Sequence, residues 1–404
     1  MAIKVAVICG GSSVEHEVSV ITALQAAQAL DKSKYRPVAL YITKDLRFFT
    51  GGDLLDINAY KDIPSALAGA RQVVPVRLEG RPVLMDFPPK ALGRPHYEEI
   101  DAALLGAHGT NVEDGALQGL LEYWGVPYTG CSVCASAVGM DKWVMKQVFK
   151  SAGLPCLSGV LISKGDYLKD PEGEIKGLLE KIALPMVVKP SNLGSSVGIS
   201  KARDEEQLKE ALDLAFSFAP FALCERAVRN LREINCAVLG DRDGAVASVC
   251  EEPLNATDIL TYADKNKSGG GKSGSKGGAK SGGQGSGMAS LTRKVPAELP
   301  QGVSEKIQQM ALAAFKAIDA SGVARIDFMM DSETGEIFVN EINTIPGSLS
   351  YYLWEAGGVS FPQLVDRLIS LALKKKRDKD SLTFSFDTNL LEGASLGGSK
   401  GSKS

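Results

Sequence analysis

The stretch from Arg325 to Asn343, RIDFMMDSETGEIFVNEIN, constrains this chain more than any other, because two apolar runs flank a polar SETGE turn and so spell a β-hairpin. Strand side chains alternate between faces, so Glu341 and Asn343 share one face of the second strand, and Arg325 and Asp327 share one face of the first. A pairing that brings Asp327 to the face of Glu341 and Asn343 gathers three hard oxygen ligands, suited to Mg²⁺ shared with nucleotide phosphates. Arg325 then points the same way and sets a fixed cation beside reacting phosphoryl and carboxyl oxygens. The bland alternative is an edge hairpin with solvated charges. Against it stand Phe328, Ile337, Phe338 and Val339, since carboxylates beside so much apolar sequence are costly without a cation, and Asn343 opens NTIPGS, a turn that continues the site.

A second segment, VVKPSNLGSSVGIS, places Lys189 at the end of an apolar strand, before a turn containing Gly194, Ser195, Ser196 and Gly198. Such a turn exposes backbone N–H groups and can fold over phosphates. It is not a Walker A loop: the GxxxxGK[ST] spacing is absent and Lys189 precedes the glycines.

The fold class expected is α/β with α+β lobes. Residues 3 to 9 (IKVAVIC) are predicted as a buried strand, followed by Gly10, Gly11 and a helix over 18 to 30. Further strands over 37 to 42 and 101 to 106 continue the alternation, which predicts a doubly wound parallel sheet in residues 1 to 125. GGSSVEHE lacks GxGxxG, which argues against a nicotinamide-dependent dehydrogenase. A central lobe is expected over 126 to 222, with a helix from about Asp141 to Ser151, and a third lobe over 223 to 373. Lys267 to Gly287 is almost wholly Gly, Ser, Lys and Ala, and 374 to 404 is charged and then Gly/Ser-rich. Neither can bury enough apolar surface to offset its ordering entropy, so the first is expected as an insertion loop, a passive linker or a lid, and the second as a disordered tail.

Composition narrows the function. Forty-five basic against 48 acidic side chains leave a formal charge of −3, so no global field draws the chain to nucleic acid or an anionic membrane. The apolar run near the N-terminus is too short for a signal peptide or a spanning helix, and a cytoplasmic location is expected. Seven scattered cysteines make no disulfide framework, and the lone pair Cys131 and Cys134 lacks the further ligands a zinc site needs. With three histidines in all, a metal here is expected on oxygen ligands.

The segments GGSSVEHEVSV, HGTNVEDGALQGLLE, MDKWVMK, VVKPSNLGSSVG, ARIDFMMD and NEINTIPG occur in the order found in D-alanine:D-alanine ligases of the ATP-grasp superfamily, and the chain resembles that family over residues 3 to 373. The resemblance implies ATP and two Mg²⁺ ions, with Mn²⁺ able to substitute, D-alanine as substrate, a homodimer, and an acyl phosphate intermediate. It implies that Lys142, Lys189 and Lys265 meet nucleotide phosphates, that Glu225 lies on the adenine side, and that Glu233 binds ribose. It makes Asp327, Glu341 and Asn343 the metal ligands, Glu15 the partner of the first substrate's ammonium, Arg325 the oxyanion's partner, and Ser195 the tip of the glycine-rich loop. His16 and His108 are expected to shape the donor floor through hydrogen bonds.

This chain departs from the family at Val112, where a glycine usually precedes EDG, at Asn266 after Lys265, and after NTIPG, where the segment is about four residues shorter. Ser348 or Ser350 then takes the acceptor-carboxylate role. The altered acceptor region leaves open a donor of D-alanine with another acceptor, such as D-lactate, D-serine or another amino acid. A non-catalytic nucleotide-binding module is the rival from another class.

Overall fold

The computed structural model describes residues 2–89, 95–194, 197–254 and 293–384. Ser195, Lys265 and the 267–287 insertion therefore lie outside the described residues.

The first sheet has seven strands: β1 (Ile3–Gly10), β2 (Tyr35–Ile42), β3 (Phe48–Thr50), β4 (Arg71–Leu78), β5 (Arg81–Asp86), β6 (Tyr97–Glu99) and β7 (Ala102–Leu105), ordered β6-β5-β4-β3-β2-β1-β7. The parallel sheet expected here is a parallel core of three: β1 pairs in parallel with β2 and with β7, and four antiparallel strands extend it. Parallel strands are buried on both faces and read as continuous apolar runs, which is why β1, β2 and β7 were visible in the sequence. The antiparallel extension is half-buried and carries Arg, Glu and Pro, so its signal is weak.

The second sheet holds β8 (Gly159–Ser163), β9 (Met186–Pro190), β10 (Ser200–Ala202) and β11 (Phe221–Arg226), ordered β10-β9-β11-β8. Strand β11 pairs with both β8 and β9, so residues 223 to 226 belong to this central sheet, and the third lobe starts later than position 223. The third sheet holds β12 (Leu231–Gly240), β13 (Ala245–Pro253), β14 (Arg293–Lys294), β15 (Gly322–Asp331) and β16 (Ile337–Asn343), ordered β14-β13-β12-β15-β16.

Among the described residues three large cores follow the three sheets, with a small fourth cluster of Leu157, Val228 and Met329, but helices cross between them. Ala135, Met145 and Phe149, from helices Val133–Met140 and Lys142–Ser151, pack with Ile234, Phe315 and Ile326 of the third sheet's core, although the sequence placed these helices in the central lobe. The helix Phe361–Asp380 packs Leu364, Val365, Leu368 and Ile369 into the first core. It also overturns the expected start of a disordered tail at 374: its last turns are ordered, Lys374 pairing with Asp241 at 3.0 Å and Asp243 at 2.7 Å. A run of charge in the sequence is here the solvated face of an amphipathic helix. Among the described residues no helix is long and apolar enough to cross a membrane. All seven cysteines are free; Cys131 is buried and Cys134 exposed.

Candidate functional site

The hairpin β15–β16 pairs Arg325 with Asn343 and Asp327 with Glu341, so all four side chains stand on one face. Arg325 is buried and grips Asp327 with two parallel bonds, Nε to Oδ1 at 2.6 Å and Nη2 to Oδ2 at 2.7 Å. Asn343 Nδ2 donates to Asp327 Oδ2 at 3.0 Å. The row extends sideways: Asn235 on β12 is in register with Asp327, and Glu251 on β13 is in register with Asn235. Glu233, two residues before Asn235, shares that face. Three oxygen-bearing side chains at adjoining positions fit a hard divalent cation. Asn343 presents its amide N–H to Asp327 here, so rotation of that amide brings its carbonyl oxygen to the same place.

Pairing runs Asp327 to Glu341 and then Phe328 to Val339, which leaves Asn340 as the extra residue of a β-bulge. The bulge turns Asn340 to the central lobe, where its Oδ1 accepts a hydrogen bond from Lys189 Nζ at 3.0 Å. Lys189 also donates to Glu225 Oε2 at 2.9 Å, and Lys146 Nζ lies 2.8 Å from Glu225 Oε1. Glu225 is fully buried. Desolvation pushes its carboxyl towards the neutral form, but the charges and hydrogen bonds of Lys189 and Lys146 together outweigh this and hold it down at about 2. The two lysines differ. Burial pulls the Lys146 ammonium below its ordinary range, whereas for Lys189 the same burial is outweighed by Glu225, Glu341 and Glu233 and the ammonium is held higher.

Lys142 begins the helix Lys142–Ser151, capped by Asp141, whose Oδ1 accepts from the N–H groups of Trp143 and Val144 and from Ser191 Oγ at 2.9 Å. Position one of a helix is ordinarily solvent-exposed, yet Lys142 is 6% exposed: its Nζ donates to Leu193 O at 2.7 Å and lies 3.4 Å from Glu341 Oε2. The cap therefore aims this lysine at Glu341 and at the start of the glycine-rich turn.

The side on which the resemblance sets the donor is built by the first lobe. Glu15 stands at the N-cap position of the helix His16–Ala29 without a side-chain capping bond, and two glycines leave room for its carboxylate: a Cβ on Gly109 would fall 2.8 Å, and one on Gly194 3.1 Å, from Glu15 Oε2. His16 is buried, with Nδ1 2.7 Å from Gly11 O and Nε2 2.9 Å from Tyr41 Oη. His108 Nε2 lies 2.8 Å from Thr22 Oγ1, and that hydroxyl accepts the Ser348 N–H at 3.0 Å. Burial pushes His108 down to about 4, so it is neutral at physiological pH. Both histidines are thus held in place by hydrogen bonds. Ser348, Leu349 and Ser350 follow the NTIPG turn in left-handed backbone (φ 51°, 52° and 50°), and both serines are buried.

Sequence reasoning passed over three members of the site. Glu113 accepts from Gly109 N at 2.8 Å and Ile345 N at 3.2 Å, tying the HG turn to the NTIPG turn. Burial, and then the Glu15 charge beside it, raise its carboxyl to about 8. The EDG within HGTNVEDG was the available signal. Lys146 lies in MDKWVMK, one helical turn after Lys142, and only its burial against Glu225 reveals it. Asn340 was invisible because strand alternation assigns it to the opposite face.

Residues 4–131 match the family model described as D-ala D-ala ligase N-terminus, and residues 148–280 and 284–370 match D-ala D-ala ligase C-terminus. The D-alanine–D-alanine ligase of Thermosipho africanus is 35% identical over 96% of this chain and 98% of its own. That of Acetivibrio thermocellus is 38% identical over 93% and 97%. The solved D-alanine–D-alanine ligase of Coxiella burnetii superposes with a TM-score of 0.76 at 29% identity, covering 94% of this chain and 96% of that one. The arrangement of three sheets is that of the ATP-grasp fold. Matched along nearly its whole length, this chain belongs to the D-alanine–D-alanine ligase family.

Proposed function

We propose that this protein joins two D-alanines at the expense of ATP, through an acyl phosphate, giving D-alanyl-D-alanine, ADP and phosphate for peptidoglycan precursors in the cytoplasm. The observation that carries this reading is the convergence of Lys142 and Arg325 on the oxygen-bearing row Asp327, Glu341 and Asn343, with Lys189 tied to Asn340 beside it. A divalent ion held by those three side chains supplies charge neutralisation for the nucleotide's terminal phosphates.

The chain's own residues divide the remaining work. Lys142 and Lys189 offset charge as the donor carboxylate takes the terminal phosphoryl group. Glu233, on the cleft face of β12, takes ribose, and the Lys146–Glu225–Lys189 cluster forms the wall on the adenine side. Glu15 holds the donor ammonium, with Glu113 fixing the turns on either side. Arg325, kept rigid by Asp327, stabilises the tetrahedral oxyanion when the acceptor amine attacks the acyl carbon. The C–N bond then forms, the C–O bond to phosphate breaks, and phosphate leaves with the electron pair. The buried turn Ser348–Ser350 takes the acceptor carboxylate, and Lys265 and Ser195 complete the phosphate contacts.

The test is product identity. Incubation with ATP, Mg²⁺ and D-alanine should yield D-alanyl-D-alanine by mass and chiral chromatography, with one phosphate released per dipeptide. A better turnover with D-lactate or D-serine as acceptor would replace the second substrate, and absence of D-alanine-dependent phosphate release would remove the ligase reading.

A further inference from the structure

Away from the cleft, the C-terminal helix Phe361–Asp380 leans on the first lobe and leaves a cavity of about 190 Å³ between its last turns, β4 and the turn Gly125–Tyr128. Four cations line it: Arg77, Lys375, Lys376 and Lys379. Two carboxylates, Glu122 and Asp380, also line it, and both are already matched. Glu122 contacts Lys379 and accepts from Tyr128 Oη at 2.8 Å, while Asp380 pairs with Lys376. Arg77 donates to Gly80 O and forms no ion pair among the described residues. Lys375 Nζ is buried, has no hydrogen-bond partner and stands 4.3 Å from the centroid of the Tyr128 ring. Two positive charges are thus unmatched, and one is an ammonium shut away from water.

An ammonium buried without an anion is costly, and a ring face offsets only part of that cost. The remaining walls are apolar or aromatic, including Val126, Ala372 and Phe384. The space exceeds what a bare halide fills and has a greasy lining beside a fixed cation.

We propose that this cavity is a binding site for a small carboxylate on an apolar or aromatic body, its carboxylate meeting Lys375 and its body lying between Tyr128 and Phe384. The same helix begins at Phe361, which stacks on Tyr351 with centroids 4.6 Å apart, and Tyr351 directly follows the turn Ser348–Ser350. An occupant of this cavity therefore braces the helix that backs the acceptor turn.

The test uses the full chain with benzoate as probe and benzamide as its neutral counterpart, titrated calorimetrically with D-alanine and a non-hydrolysable ATP analogue filling the cleft. Benzoate should bind at least tenfold more tightly than benzamide, and Lys375→Met should weaken benzoate at least tenfold, about 1.4 kcal/mol, while leaving turnover without benzoate unchanged. On the wild-type chain, benzoate should slow amide hydrogen exchange over the last turns of the helix, residues 372 to 380, a readout that stands if the variant fails to fold. Equal affinity for benzamide, undiminished binding to Lys375→Met, or no protection of the helix's last turns overturns the proposal.

Discussion

Replacing Glu225 by Gln removes one charge from a buried cluster of three and leaves Lys146 and Lys189 facing each other. Holding a carboxyl that ordinarily titrates at 4.5 down at about 2 corresponds to about 3 kcal/mol in favour of the ionised, folded form. Because the folded value is depressed, that stability is fully present above pH 4.5 and is lost as pH falls towards 2. At neutral pH Glu225→Gln should therefore destabilise the central lobe by about 3 to 5 kcal/mol, the range for removing one partner of a buried ion pair. Amide hydrogen exchange across β11 reads this locally, with protection falling on the order of a hundredfold or more. The double variant Glu225→Gln/Lys146→Met should recover at least about 1 kcal/mol, since it also removes the ammonium left without an anion. A single-variant loss under about 1 kcal/mol, or a double variant less stable than the single, would refute the account of the cluster as a buried charge balance.

Glu341→Gln should depress Mg²⁺·ATP turnover severely while circular dichroism and the unfolding midpoint stay near wild type; near-normal turnover rejects the metal assignment. His108 titrates at about 4 against its ordinary 6.5, so protonation favours the unfolded chain. Stability should fall as pH drops from 6.5 to 4, by up to about 3 kcal/mol from this residue, and His108→Gln should flatten that window in urea unfolding measured against pH. Gly109 has φ of +82°, and an added Cβ would lie 2.2 Å from Ser13 Oγ and 2.8 Å from Glu15 Oε2. Gly109→Ala should cost about 1 to 2 kcal/mol and raise the donor KM more than the ATP KM; equal effects on both would show that the corner does not serve the donor.

The hairpin that dominates the sequence was legible because two independent signals coincide there, a turn flanked by apolar strands and charges spaced by two. Arg325, Asp327, Glu341 and Asn343 share a face as that spacing requires. The helix Lys142–Ser151 was legible from its cap residue, Asp141. What stayed hidden depends on contacts between distant segments. The burial of Lys142, the clasp of Glu225 by Lys146 and Lys189, and the raised carboxyl of Glu113 exist only once three lobes have met. Lobe boundaries failed for a related reason: β11 and the helices over 133 to 151 choose their sheet by packing, which no local pattern states. The charged end of the chain misled because Lys and Asp at positions 374 to 380 suit disorder and a solvated helix face equally well.

The bulge at Asn340 makes one position separable from all its neighbours. Excising that single residue would join Val339 directly to Glu341 and straighten β16, while Asp327 and Glu341 stayed opposite each other and Phe328 stayed opposite Val339. The ladder would be intact, and Lys189 would lose its tether to the neighbouring lobe. A one-residue gap, usually the most disruptive edit a strand can suffer, becomes here the gentlest way to unhook two lobes and measure how far they depend on each other.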